Sequence, residues 1–303
     1  MPVISRRALI KLAAAGFLAG VGAVSYPFME AFARPRITRY TLNPVRWSPG
    51  LVLRIAVIAD IHACRPWMDR RRITGICQQA QALNADLILL LGDFMPGMHR
   101  LAEPLPPRDW VEPLASLTAP LGVHAVLGNH DYWSDDDFQR DPTVEPMVAR
   151  VLAEAGIAVH VNHAVRLSKD GQAFWLAGLG DQIAILPKQA LGETEGRGIE
   201  DMAKTLAHVS DDAPVILMAH EPDVFLEPHP RISLTLSGHT HGGQVNLFGW
   251  RPVNASRGSA RYPAGLFRKG ESDLIVSKGL GCSSLPMRIG SWPEILHIEL
   301  GAA

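Results

Sequence analysis

Asp60-Ile61-His62, Gly92-Asp93, Gly128-Asn129-His130-Asp131, Ala219-His220-Glu221-Pro222-Asp223 and Gly238-His239-Thr240-His241-Gly242-Gly243-Gln244 each follow a short apolar run. Carboxylates and imidazoles without thiolates are the donors that Mn, Fe or Zn take in reactive sites, whereas a purely structural zinc leans on cysteine. On an extended segment, side chains two apart point the same way, so Asp60 and His62 could hold one ion together. The same parity would turn His239 and His241 to one side. Asp93 has two oxygens and could bridge ions ~3.5–4 Å apart, and Asn129 offers a neutral amide oxygen. Two divalent ions set against Asp60, Asp93 and a bridging hydroxide leave a centre of about +1, which still attracts an anion. Such a centre activates a water and clamps phosphoryl oxygens during in-line displacement. Any one cluster alone is more often an ordinary turn than a ligand set; the clusters in this order are the signal.

The elements that must position these residues are legible as apolar, β-branched runs: 53–59, 87–91, 123–127, 174–179, 215–219, 234–236, 274–276 and 295–300. Amphipathic helices are expected over 72–83 and 143–155. Strands alternating with helices predict an α/β sheet, whose ligand crevice lies beyond the carboxyl ends of its strands. Residues 94–122 contain Pro96, Pro104, Pro106, Pro107, Pro113 and Pro120 and read as a surface excursion with one short helix over 110–117. Asp135, Asp136 and Asp137 read as a solvated turn or helix start. Residues 245–270, rich in glycine, read as hairpins and loops. With no repeat or linker, one catalytic domain over 34–303 is expected.

Hydrophobic residues at 47% and charged residues at 19% are globular composition, neither disordered nor polytopic. A formal net charge of -1 argues against nucleic acid as a stable partner. Cys64, Cys77 and Cys282 are an odd set without CxxC spacing, so no disulfide framework or thiolate site is indicated, although one pair could form after export. The N-terminus reads as an address. Ser5-Arg6-Arg7-Ala8-Leu9-Ile10-Lys11 precedes an uncharged stretch over 12–29 and a small-x-small pattern, Ala31-Phe32-Ala33. This resembles a twin-arginine signal, with an ordinary secretory signal or an uncleaved anchor as alternatives. Residues 1–33 are set aside from the fold on this reading, and the twin-arginine export machinery is the expected partner.

In order and type, the five clusters resemble the calcineurin-like metallophosphoesterase superfamily, whose pattern runs D-x-H, G-D, G-N-H-D/E, H, G-H-x-H. The form GHTHGGQ, the leader, and Gly279-Leu280-Gly281 with Leu285-Pro286-Met287-Arg288 resemble its bacterial exported or membrane-associated branch. The resemblance implies a four-layer α/β/β/α sandwich of two mixed sheets flanked by helices. It also implies one metal held by Asp60, His62, Asp93 and His241, and a second held by Asp93, Asn129, His220 and His239. His130 is left for catalysis, stabilising the charged transition state or protonating the leaving oxygen, with Asp131 orienting and charging it. Arg288 could contact the substrate phosphate or serve as a strand-edge or salt-bridge arginine. Asp181 and Asp223 could support ligand imidazoles or act as caps. Cys64 reads as core, and His99, His124, His160, His163, His208, His229 and His297 as ordinary histidines. The expected substrate is a phosphodiester, with monoesters or pyrophosphates and a lipid-linked form within the same chemistry. The competing class is a non-catalytic scaffold on the same fold.

Overall fold

The computed structural model describes residues 5–98, 101–188 and 196–302, so His99 lies outside the described residues. In chain order the strands are β1 (Arg36–Leu42), β2 (Leu53–Ile58), β3 (Cys64–Arg65), β4 (Leu87–Leu91), β5 (Glu103–Pro104), β6 (Val123–Val126), β7 (Ala158–Val159), β8 (His163–Lys169), β9 (Gln172–Gly178), β10 (Val215–Met218), β11 (Leu234–Ser237), β12 (Gly265–Lys269), β13 (Ser272–Val276) and β14 (Glu294–Leu300). The helices are α1 (Arg6–Phe32), α2 (Arg70–Gln81), α3 (Pro107–Ala115), α4 (Asn129–Trp133), α5 (Asp136–Arg140), α6 (Met147–Glu154), α7 (Met202–Ala207) and α8 (Arg257–Arg261).

Two six-stranded sheets form, in the orders β1-β14-β2-β4-β6-β7 and β12-β13-β11-β10-β9-β8. Both are mixed: β14 runs antiparallel to β2, and the outer pairs β12/β13 and β8/β9 are antiparallel, around parallel centres. Strand parity explains the layering. Ile55, Val57, Leu87, Leu89 and Leu91 face inward and meet Phe174, Leu176, Ile216, Met218 and Leu236 of the other sheet. The alternate residues Ala56, Ile58, Ile88 and Leu90 face outward and pack with Ile73, Ile76 and Cys77 of α2. Trp175, Ala177, Val215 and Leu217 do the same on the far side, toward Met202 and Leu206 of α7. A strand buried on both faces reads as a continuous apolar run, as in β4. The expected four-layer α/β/β/α sandwich is therefore the architecture observed.

Local chemistry sets the ends of the elements. Asp69 caps α2, accepting from the Arg72 amide at 2.9 Å. The second expected helix starts at Met147 rather than at residue 143, because Pro146 occupies its N-cap. The acidic triplet is a helix start: Asp135 caps α5 by accepting from the Asp137 and Phe138 amides. Strands β1 and β8 were not anticipated; their alternating or largely exposed side chains make poor apolar runs. Strand β12 forms a hairpin with β13, within the stretch expected to hold hairpins. The three cysteines are buried and free.

Candidate metal centre

The parallel strands β2, β4, β6, β10 and β11 end together, and the five clusters follow those ends. Beyond the last paired residues the loops continue to hydrogen-bond: the Asp60 amide to Gly92 O at 3.1 Å, the His62 amide to Asp93 O at 2.9 Å, and the Gly238 amide to His220 O at 3.0 Å. All seven expected ligands converge there and are buried. Asp60, His62, Asp93 and His241 form one group, and Asp93, His220 and His239 another, with ligand atoms within 4.8 Å of one another in each. Asn129 joins the second group, its Oδ1 3.1 Å from His239 Nδ1.

The reason Asp60 and His62 converge differs from the parity argument. Asp60, His62, Asp93, His239 and His241 all have positive φ, between 49° and 66°. This is left-handed backbone, which a non-glycine residue occupies at a cost of about 1–3 kcal/mol and which clusters at functional sites. The D-x-H and H-x-H pairs are thus gathered by tight turns, not by extended pleat. Close approach explains two of the glycines. A Cβ on Gly128 would lie 2.4 Å from Asp93 Oδ1 and 2.6 Å from His220, and one on Gly238 would lie 2.6 Å from Asp60 Oδ2.

The spacing of the donor atoms suits cations between them. His62 Nε2 and His241 Nε2 are 3.1 Å apart, and Asp93 Oδ2 stands 3.2 Å from His220 Nε2 and 3.5 Å from His62 Nε2. Ligands at ~2.1 Å from one ion are about 3.0–3.4 Å from each other in octahedral or tetrahedral arrangements. Two imidazoles have their other nitrogen committed: His62 Nδ1 donates to Met95 O at 2.8 Å and His220 Nδ1 to Leu91 O at 2.6 Å. That leaves Nε2 of each free to ligate, as an outer hydrogen bond on a metal-binding histidine does. Asp60 Oδ2, His220 Nε2 and His239 Nε2 are buried without a hydrogen-bond partner. Buried polar atoms are rarely left so, and bound divalent ions would satisfy them, so the donor set fits the group.

Electrostatics agree. Burial drives Asp60 up to about 7, with Asp93 adding to the rise and His220 opposing it. Burial pushes Asp93 the same way, but the His220, His130 and His62 imidazoles beside it prevail and hold it well below the usual carboxylate range. Burial also holds His241 well below the ordinary histidine value, helped by His62 and Arg288, which keeps it neutral as a ligand must be.

Two expectations are corrected by the geometry. Asp131 accepts from four backbone amides: Asp93 and Gly128 on Oδ2, Phe94 and Met95 on Oδ1, all at 2.8–2.9 Å. A carboxylate has about four acceptor sites, so Asp131 is saturated and braces the Asp93 loop against the start of α4, in place of orienting the His130 ring. Arg288 is wholly buried, and its guanidinium donates to Gly281 O, Lys278 O and Ser291 O while Nη2 stands 3.1 Å from His241 Nδ1. It supports His241 from behind and has no face toward a substrate. His130, by contrast, is at 9% the most exposed of the cluster. Its amide holds Asp93 Oδ1 at 2.9 Å, and its ring stands edge-on to His62 and Trp133, 5.0 and 5.1 Å away between centroids.

Asp181 lies with Glu221 beside His220, the three offering ligand atoms within 4.8 Å. Burial and the neighbouring Glu221 push Asp181 well above its ordinary value. Asp223 instead holds the start of α8, accepting from the Gly258 amide at 2.9 Å and from Ser256 Oγ. Sequence reasoning passed over Glu221, although the cluster His220-Glu221 displayed it.

Two mixed sheets meet at an edge lined by buried carboxylates and imidazoles, a candidate metal site on an α/β fold. The calcineurin-like phosphoesterase model matches residues 53–243, and the chain belongs to that family. It is 31% identical over 293 residues to the transmembrane protein with metallophosphoesterase domain of Danio rerio, covering 92% of this chain and 60% of that protein. The chain thus spans about three-fifths of that relative's length. It is also 31% identical to the metallophosphoesterase YkuE of Bacillus subtilis over 223 residues, 71% of this chain and 68% of YkuE. A solved dimetal phosphatase from Danio rerio is similar at a TM-score of 0.43 and 13% identity, over 84% of this chain and 99% of that one.

Proposed function

We propose that the chain is a dinuclear-metal-dependent phosphoesterase that hydrolyses phosphodiester, phosphomonoester or pyrophosphate bonds of a lipid-linked or cell-envelope substrate. The observation that carries the reading is Asp93, which belongs to both buried donor groups and can bridge them. Asp60, His62, Asp93 and His241 would hold one ion, and Asp93, Asn129, His220 and His239 the other, drawn from Mn, Fe or Zn. Such ions supply Lewis acidity to the phosphoryl group and to a water nucleophile. The remaining work falls to the chain. Asn129 contributes an oxygen without charge, Arg288 keeps His241 in place and neutral, and Asp131 holds the loop carrying Asp93. His130, at the edge of the cluster, donates a proton or hydrogen bond to the oxygen on which charge develops.

A cavity of about 240 Å³ beside His239 and His241, lined by Val245, Pro252, Val253, Leu285 and Met287, supports an amphiphilic substrate. Arg6, Arg7 and Lys11 in the first turns of α1 support export of the part of the chain that follows α1 across the cytoplasmic membrane. The test is His130→Ala in the metal-loaded enzyme, assayed on a chromogenic phosphodiester with metal content measured in parallel. Metal should be retained while kcat falls by about 100-fold or more. Unchanged turnover would remove His130 from the mechanism, and tight metal binding by the parent chain without hydrolysis of any ester would leave a scaffold.

A further inference from the structure

Helix α1 is the one described helix long and apolar enough to cross a membrane. Residues 9–26 rise about 27 Å, near the ~30 Å of a hydrocarbon core, and Leu9, Ile10, Phe17, Leu18 and Val24 are exposed. The last turn is different: Pro27, Glu30 and Ala31 are buried. The Glu30 carboxylate accepts the Gly290 and Ser291 amides at 3.0 and 2.6 Å, Pro27 O accepts the Arg288 amide at 2.9 Å, and Ala31 O accepts Arg72 Nη2 at 2.6 Å. Phe32 packs on Trp67 with ring centroids 5.2 Å apart. These contacts reach the site directly, since Arg288 supports His241 and Ser291 Oγ bonds His241 O. Cleavage after Ala33 would remove them all.

The strip 288–291 that receives α1 carries a second segment on its other side. Val245 bridges Ile289, the Ile289 amide donates to Gln244 O, and the Asn246 amide to Ile289 O. A tight hairpin follows at once, closed by reciprocal Leu247 and Trp250 backbone bonds. At its tip Phe248 is fully exposed with φ 53°, and Trp250 and Val253 are 63% and 68% exposed. Leu285 is tied to the same strip through Gln244, whose side chain donates to Leu285 O. Single exposed apolar residues need no explanation, but a run of them on one strip marks an interaction site. Phe248 combines left-handed backbone with a ring in water, two costs that none of the contacts among the described residues is seen to offset. From Ile232 to Gly270 there is no Asp or Glu, whereas Arg251, Arg257 and Arg261 are present; Arg268, by contrast, is paired with Asp273. That combination of aromatic tip and cationic flank fits an anionic lipid surface.

We propose that α1 is retained as an anchor whose last turn is part of the catalytic fold, and that the Leu247–Trp250 hairpin dips into the same leaflet beside it. The metal centre then opens at the bilayer surface. The inference deepens the membrane-facing part of the reading above and rests on it, but its readout needs no turnover, so it fails independently of hydrolysis. The full chain is reconstituted in vesicles of phosphatidylcholine and phosphatidylglycerol, with Phe248→Cys or Trp250→Cys carrying an environment-sensitive fluorophore. The native cysteines are buried. Asp170→Cys, in the turn that opens β9 at the sheet end away from the site, is the control. Labels at 248 and 250 should shift to the blue and be quenched several-fold more than the control by lipids with a shallow spin label. Equal quenching at all three positions overturns the hairpin contact. Mass measurement of the chain from the membrane fraction should show α1 intact; a mature chain beginning after Ala33 overturns retention.

Discussion

Asp131→Asn separates two roles for a residue at the heart of the site. The carboxylate receives the amides of Asp93 and Gly128 on one oxygen and those of Phe94 and Met95 on the other. An asparagine keeps one acceptor oxygen and turns an NH2 group toward the remaining two amides, which are then buried without partners. Each unsatisfied amide costs about 1–3 kcal/mol, so the loss is roughly 2–6 kcal/mol, or about 4–12 °C in Tm at ~2 °C per kcal/mol for a chain of this size. Because the brace holds the Asp93 loop, metal affinity should fall with stability. The assay is thermal and denaturant unfolding of parent and variant, with metal content by mass spectrometry. It is best run at pH 8, above the value of about 7 to which burial and Asp93 raise Asp131. Parent-like Tm and full metal alongside a hundredfold lower kcat would refute the brace and restore the role of orienting His130.

Asp93→Asn should empty or loosen both positions together, because the same carboxylate serves both groups; two fully loaded ions in the purified variant would refute the bridge. A further prediction concerns pH. Burial, with His124 and His163 adding to it, lowers His160 to about 4, against about 6.5 in an unfolded chain. A histidine whose folded value is depressed contributes stability that is present above the unfolded value and lost as pH falls toward the folded one. Stability should therefore drop by on the order of 3 kcal/mol between pH 6.5 and 4 from this group alone. His160→Gln should flatten that segment of the denaturation profile, and an identical profile in the variant would remove His160 as the cause.

Much of the site was visible in the sequence because its residues sit just after strands, and strands buried on both faces write themselves as apolar runs. That pattern gave an α/β sheet with donors at its strand ends; the two-sheet sandwich and the grouping of the seven donors came from the resemblance of the five clusters, in their order, to the calcineurin-like superfamily. Less was visible where a residue acts through a contact remote in the chain. Arg288 reads in the sequence as a phosphate contact or a structural arginine, and only the packing of 278–291 shows its guanidinium wrapped in carbonyls behind His241. Setting residues 1–33 aside as an address concealed Glu30, whose partners lie at Gly290 and Ser291, far along the chain. His124 and His160 looked ordinary, yet their rings stack 5.2 Å apart.

By itself the sequence determined the donor types, their order along the chain and the strands that carry them, since residue chemistry and side-chain periodicity are local properties. Tertiary structure showed that the donor side chains are buried together in two groups sharing Asp93, that left-handed turns and not pleat parity bring them together, and that Asp131 braces backbone. Those outcomes depend on distances between loops from different strands, and hydrogen-bond capacity is allotted only once such loops meet.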